Sequence, residues 1–208
     1  ILKEPDLGTT IAIAAMVMIV LLVSGLRWLY FIGTGLAGAA GVTVLIMNSE
    51  YQMKRIIGWL DPWSDPIGMG YQPIQSLYAL GSGGFWGMGI GNSRQKLGFL
   101  PEQNTDFIFA IIGEELGFIG AAFIVLMFIL LFWRGYKIAS RCPDMFGTLL
   151  ATGITTSLGI QAFLNLGVVT NTLPVTGIAL PFLSYGGSSL LMSMGVVGVL
   201  LNISRYHK

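Results

Sequence analysis

LPEQNTDFIFAIIGEELGFIGAAFIVLMFILLFW, residues 100–133, joins a polar, proline-containing stretch to an apolar one. Residues 116–133 run without a charge, close to the ~20 residues a helix needs to cross a bilayer. The whole apolar segment 107–133 is long for one crossing and carries Glu114 and Glu115 near its start. Four more apolar stretches lie around it, at 8–25, 28–47, 147–169 and 182–203. The fold class expected is therefore an all-α polytopic membrane protein with about five crossings. Residues 1–208 read as a single integral membrane domain. Gly, Ser and Thr, with Gln161 and Asn165, stud the last two crossings. Such helices pack against protein, with small residues allowing close approach.

Composition agrees. Of 208 residues 54% are hydrophobic and 10% charged, with a net charge of +1, against roughly 25% charged in an ordinary soluble domain. A disordered chain needs the opposite balance, and a nucleic-acid binder needs a basic excess to displace counterions. No nucleic-acid partner is expected. Cys142 is alone, which excludes a disulfide framework and a multi-thiolate metal site. The chain starts at Ile1 with no charged n-region, so the expectation is a piece of a longer protein and no signal peptide.

Residues 48–106 form the one long region between crossings. It holds Trp59, Trp63, Trp86, Tyr71 and Tyr78, types that favour the membrane–water interface. Segments 51–60 and 72–80 suit short helices lying in the interface plane. Loops of this length are usually functional when ordered.

Sorting charges by loop gives the orientation. One set holds Arg27, Arg134, Lys137, Arg141, Arg205 and Lys208 against Asp144. The other holds five basic residues, Lys3, Lys54, Arg55, Arg94 and Lys96, against nine acidic ones. The basic-rich set is expected in the cytoplasm. That places 48–106 outside the cell and the C-terminus inside.

Chemistry is expected where carboxylates and cations crowd, in 92–115. Asp106 stands directly before the apolar run, with Asn104 or Thr105 as a candidate cap and Asp106 in the first helical turn. A carboxylate there either complements the helix dipole or acts as a general base at the membrane surface. Glu114 falls on a neighbouring helix face, at about 80° from Asp106, whereas Glu115 points nearly opposite. Arg94 and Lys96 suit a phosphate or pyrophosphate, Arg as a fork and Lys as a point charge, or simply a solvated loop. The glycine-rich 81–92, GSGGFWGMGIGN, matches neither phosphate-loop fingerprint. Its glycines suit tight turns near a ligand or another backbone. SYGGSS, 184–189, suits a helix break lining a cavity. His207 is isolated, so no histidine triad or metal cluster is expected, and a divalent cation would rely on carboxylates.

The segments KEPDLGTT (3–10), WLDPWSDPIGMGYQPIQSLYALGSGG (59–84), LPEQNTDFIFAIIGEELGFIG (100–120) and LPVTGIALPFLSYGGSS (173–189) together resemble the SEDS family, named for shape, elongation, division and sporulation. QSLYALGSGGFWGMGIGNSRQK and VLLNISRY look more like its FtsW and sporulation branch than like RodA. The resemblance implies ten membrane helices in a full-length protein, with this chain as its C-terminal half. It implies a peptidoglycan glycosyltransferase of the bacterial cytoplasmic membrane that polymerises lipid II at the outer face. Lipid II, the nascent glycan strand, membrane lipids and a class B penicillin-binding protein would be its partners. The family's essential carboxylate carries over to Asp106. Arg94, Lys96, Glu102, Glu114, Ser184 and Tyr185 are the expected substrate-binding residues, with Mg or Mn as a candidate cofactor. Some members have a lysine where Thr176 stands, so no cationic role is transferred there. Two rival readings are a lipid II flippase and a non-catalytic scaffold for the transpeptidase. A flippase would distribute polar groups through the bilayer midplane, whereas here the acidic groups cluster at one face.

Overall fold

The computed structural model describes residues 7–98, 100–102 and 104–205. Residues 1–6, which include KEPD, together with Phe99, Gln103, Tyr206, His207 and Lys208, lie outside the described residues. All regular structure in the described residues is helical: α1 (Leu7–Val23), α2 (Trp28–Met47), α3 (Glu50–Leu60), α4 (Tyr71–Gly83), α5 (Ile108–Arg141), α6 (Met145–Val169) and α7 (Gly187–Ser204), with single 3-10 turns at Pro62–Ser64 and Gln95–Leu97. α2, α5, α6 and α7 are long and apolar enough to cross a membrane. α1 is apolar but 17 residues long, stopping two residues before the expected end in a turn at Ser24 and Gly25, where Gly25 has φ +99°.

α6 is the centre of the assembly, packed between α5 and α1, and α4 lies along α5. α5 and α6 approach closely: a methyl group at Gly135 would lie 2.3 Å from the Thr155 hydroxyl. Tyr136 and Thr156 share a hydrogen bond of 3.0 Å. Thr152, Thr155, Thr156 and Asn165 are buried on α6, as small and polar residues on a protein-packed helix should be. α7 differs from that expectation. Only Ser193 and Leu200 are buried on it, while Leu191, Met192, Met194 and Leu201 are exposed. It also starts at Gly187 rather than at 182, because 181–186 fold as a turn that packs against the start of α5.

The long loop is structured and docked. α3 and α4 match the two expected short helices within three residues at each end, the usual uncertainty of helix boundaries. Ser49 caps α3 by accepting from the Gln52 N–H. Trp59 Nε1 donates to the Asn171 carbonyl at 3.1 Å, and Arg55 Nη1 donates to Val175 O at 3.3 Å. Ser76 on α4 donates to Val169 O at 2.7 Å. Both loop helices are thus fastened to the far end of α6 and the segment after it.

α5, 34 residues long, would span about 51 Å at 1.5 Å per residue, well beyond the ~30 Å hydrocarbon core. Its helix breaks at Gly117, where φ is 66° and ψ is −168°, a region essentially restricted to glycine. The break exposes backbone groups that the glycine-rich loop then satisfies. Phe118 N–H donates to Gly84 O at 2.8 Å, and Met88 and Gly89 N–H donate to Glu114 O and Glu115 O at 2.9 and 3.0 Å. Of the two uses open to these glycines, the structure takes the second, close approach of one backbone to another. A methyl group at Gly87 would lie 2.1 Å from Glu115 O.

Candidate functional site at the start of α5

Asp106 sits at the end of a tight turn built on Glu102. Glu102 takes φ +52°, and its carbonyl accepts from the N–H groups of Thr105, Asp106 and Phe107 at 3.1, 3.1 and 3.2 Å. The Thr105 hydroxyl donates to Glu102 Oε2 at 2.9 Å. Asp106 is therefore in this turn and not in the first helical turn. α5 starts at Ile108, its capping position is Phe107, and no side chain caps it. Neither Asn104 nor Thr105 plays the capping role, because the turn consumes the Thr105 hydroxyl.

Three groups clamp this turn from the other side. Asn165 Nδ2 donates to Asp106 O at 2.7 Å and to Ile178 O at 2.8 Å. The Ser184 hydroxyl donates to Thr105 O at 2.5 Å while accepting from Leu180 N–H at 2.7 Å. The Tyr185 N–H donates to Asn104 O at 2.7 Å. Gly177, at φ +71°, lies against the carboxyl, so that a methyl group there would sit 3.6 Å from Asp106 Oδ2. The Asp106 side chain is half-buried. Burial first, and the neighbouring Glu102 carboxylate second, raise its carboxyl above the ordinary aspartate value. Among the described residues no donor binds its carboxylate oxygens.

The other expected site residues divide. Glu114 is 1% exposed and does not share a cavity with Asp106. It accepts from the Ser93 hydroxyl, from Arg94 and Gln95 N–H at 3.1 and 3.3 Å, and from the Ser82 hydroxyl at 3.4 Å. It anchors the 93–95 loop that presents Arg94. Lys96 pairs with Glu115 at 3.0 Å and also donates to Gly91 O, so its charge is already engaged. The exposed Arg94 side chain has no partner among the described residues. Ser184 is a clamp with its hydroxyl used twice, whereas the Tyr185 side chain is exposed. Glu102 shapes the turn and faces solvent. Asn165 and Gly177 stood out in the sequence only as a polar residue in an apolar helix and as one glycine among many. Their contact with the Asp106 turn depends on tertiary packing.

No group of three or more His, Cys, Asp or Glu suited to a metal occurs among the described residues. Asp106 and Glu102 form at most a two-carboxylate set, which suits Mg²⁺ only when substrate phosphates supply further ligands.

A bundle of apolar helices whose loop face carries a half-buried, unengaged carboxylate defines a multi-pass membrane protein with an acidic surface site. The chain belongs to the FtsW, RodA and SpoVE family of cell cycle proteins, whose model it matches over residues 1–208. It is 52% identical over 208 residues to stage V sporulation protein E of Bacillus subtilis, covering 100% of this chain and 57% of that protein. It is 50% identical over 204 residues to a probable peptidoglycan glycosyltransferase FtsW of Trichlorobacter lovleyi, covering 98% and 54%. Its fold resembles a chain solved in a study of polymerization and crosslinking by a peptidoglycan synthase complex, with TM-score 0.77, 31% identity, and 99% and 57% coverage. It also resembles the rod shape determining protein RodA of Thermus thermophilus, with TM-score 0.61, 28% identity, and 98% and 51% coverage. The chain thus spans little more than half the length of these relatives. Family and apolar helices together make it a multi-pass protein of the cytoplasmic membrane.

Proposed function

We propose that this chain forms the acceptor-activating half of a peptidoglycan glycosyltransferase that polymerises lipid II into glycan strands. The observation that carries the proposal is Asp106: half-buried, raised in pKa, held at its backbone by Asn165 and left without a donor on its carboxylate. A sugar linked α through pyrophosphate becomes β-linked in one in-line displacement. The acceptor 4-hydroxyl oxygen forms the new bond to C1, its proton passes to Asp106, and the C1–oxygen bond to the lipid pyrophosphate breaks. A raised pKa suits a general base working near neutral pH. Arg94, presented by the Glu114-anchored loop, is the candidate cation for the departing pyrophosphate. A divalent cation, Mg or Mn, would be held by Glu102 and pyrophosphate oxygens, and would supply charge neutralisation.

The charge asymmetry of the loops supports an outward-facing 48–106 and a cytoplasmic C-terminus. A class B penicillin-binding protein is the partner the family resemblance supports. The test is lipid II polymerisation in detergent by the full-length protein with that partner. Asp106→Asn is expected to abolish polymer while leaving folding and partner binding unchanged. Because detergent offers no second compartment, polymer formation by the unmodified complex separates an enzyme from a flippase. Normal polymerisation by Asp106→Asn would refute the base assignment and favour a scaffold.

A further inference from the structure

A cavity lies on the loop face, walled by α3, the start of α4 and the segment after α6. Its volume is about 290 Å³, and its lining includes Tyr51, Arg55, Trp59, Tyr71, Gln72 and Pro101. We propose that it is a saccharide-binding subsite that holds the growing glycan next to Asp106; this rests on the polymerase reading above.

Three observations carry the proposal. The first is composition: three aromatic side chains with an arginine and a glutamine form a surface that takes the C–H face of a sugar ring while the guanidinium and amide bind its hydroxyls. The second is preorganisation. Trp59 is fixed by its indole N–H on Asn171 O at 3.1 Å. Arg55 is fixed by one N–H on Val175 O at 3.3 Å and by the Tyr51 ring 4.8 Å below its guanidinium carbon. A guanidinium carries five N–H donors, so most of those on Arg55 remain for a ligand. The Gln72 amide and the Tyr71 hydroxyl have no partner among the described residues. The third is location. Pro101 directly precedes the Glu102 turn, and Val175 is two residues from Gly177, which lies against the Asp106 carboxyl. The cavity is therefore walled by the two segments that enclose Asp106. Its volume is just below the roughly 300–1,000 Å³ of small-molecule sites, enough for a sugar ring and too small for a whole lipid-linked donor.

The test uses the full-length protein with its transpeptidase partner, in detergent, and a lipid-free tetrasaccharide of alternating N-acetylglucosamine and N-acetylmuramic acid. Saturation-transfer NMR is expected to detect binding. Gln72→Leu and Arg55→Lys are each expected to weaken it about tenfold, the loss of one or two hydrogen bonds to a ligand. In polymerisation assays the same variants should raise the KM for a preformed glycan acceptor while leaving kcat near its original value. Gln72→Leu touches no contact that holds the fold, so its thermal transition should be unchanged. Absence of tetrasaccharide binding to the unmodified complex, or binding by both variants as tight as by the unmodified complex, would overturn the proposal. So would occupation of the cavity by glycerol phosphate with no binding of the tetrasaccharide, which would make it a lipid-headgroup site. Asp106→Asn should bind the tetrasaccharide normally. Loss of the base assignment and loss of the saccharide site are therefore read from different variants.

Discussion

Gly117→Ala is the sharpest test of how the site is built. The added methyl would lie 2.3 Å from Gly87 N and 2.6 Å from Phe85 O, both backbone atoms that cannot swing away. The backbone at φ 66° and ψ −168° costs a non-glycine residue about 1–3 kcal/mol. The chain can escape by taking the helical conformation, but then α5 runs straight through and expels the 84–89 loop. That breaks four hydrogen bonds, Phe118 to Gly84, Ile119 to Phe85, Met88 to Glu114 and Gly89 to Glu115, and restores two within the helix. A net loss of two bonds at about 0.5–1.5 kcal/mol each makes this escape cost roughly 1–3 kcal/mol, in place of the strain. Hydrogen exchange on the full-length protein in detergent should show faster exchange at the amides of residues 88 and 89, with a lowered thermal transition. Gly198→Ala on α7, where the new methyl meets nothing within 4 Å, is the control and should be neutral or slightly stabilising. Unchanged protection at those two amides in Gly117→Ala would refute the view that the break exists to seat the loop.

Further outcomes are expected around the turn. Glu102→Gln removes the like charge that helps raise the Asp106 carboxyl, so the acid limb of the polymerisation rate should move to lower pH. The sign follows from a base that must be deprotonated to act: activity falls as pH drops through its pKa, and a lower pKa delays that fall. Asn165→Leu leaves the Asp106 and Ile178 carbonyls without their donor at a cost of about 2–4 kcal/mol, and should lower both the thermal transition and kcat. Arg94→Ala should reduce turnover about a hundredfold or more if it faces the leaving pyrophosphate. Lys96→Ala should cost less than tenfold, because its ammonium is already paired with Glu115. Equal losses in those two assays would contradict the division of roles between them.

The long apolar helices, the two short loop helices and the polar turn ahead of α5 were legible because each depends on local pattern: apolar run length, aromatic content and a polar stretch ahead of an apolar one. The start of α7 was misplaced because Pro181 to Tyr185 is apolar enough to continue a span, yet Ser184 and Tyr185 bind the Asp106 turn instead. Glu114 illustrates the other limit. Helical periodicity gave it a face near that of Asp106, but rotation about an axis ignores the roughly 12 Å of rise between positions eight residues apart. It ignores, too, the loop that folds back at Gly117 to claim both carboxylate oxygens. Asn165 was visible as a polar residue in a membrane helix, which marks function or packing. Its partners lie 59 and 13 residues away, beyond any local signal.

The carboxylates of the loop face also explain why so few charges suffice. Glu114 is committed to the 93–95 loop, Glu115 to Lys96, and Glu50 to Lys54 at 2.7 Å. Asp65 accepts from Gly68 and Met69 N–H at 3.0 and 3.1 Å, and Glu102 accepts from Thr105. Each would have to surrender a structural bond before taking a proton from a substrate hydroxyl. Among the described residues of this face, Asp61 and Asp106 have carboxylates free of such bonds, and Asp61 is exposed to water. Partial burial strengthens a carboxylate's hold on a proton. Asp106 alone combines an uncommitted carboxylate with partial burial. The turn that provides this is held through backbone groups, by Asn165, Ser184 and Tyr185. That arrangement fixes the residue in place while leaving its side chain free to react.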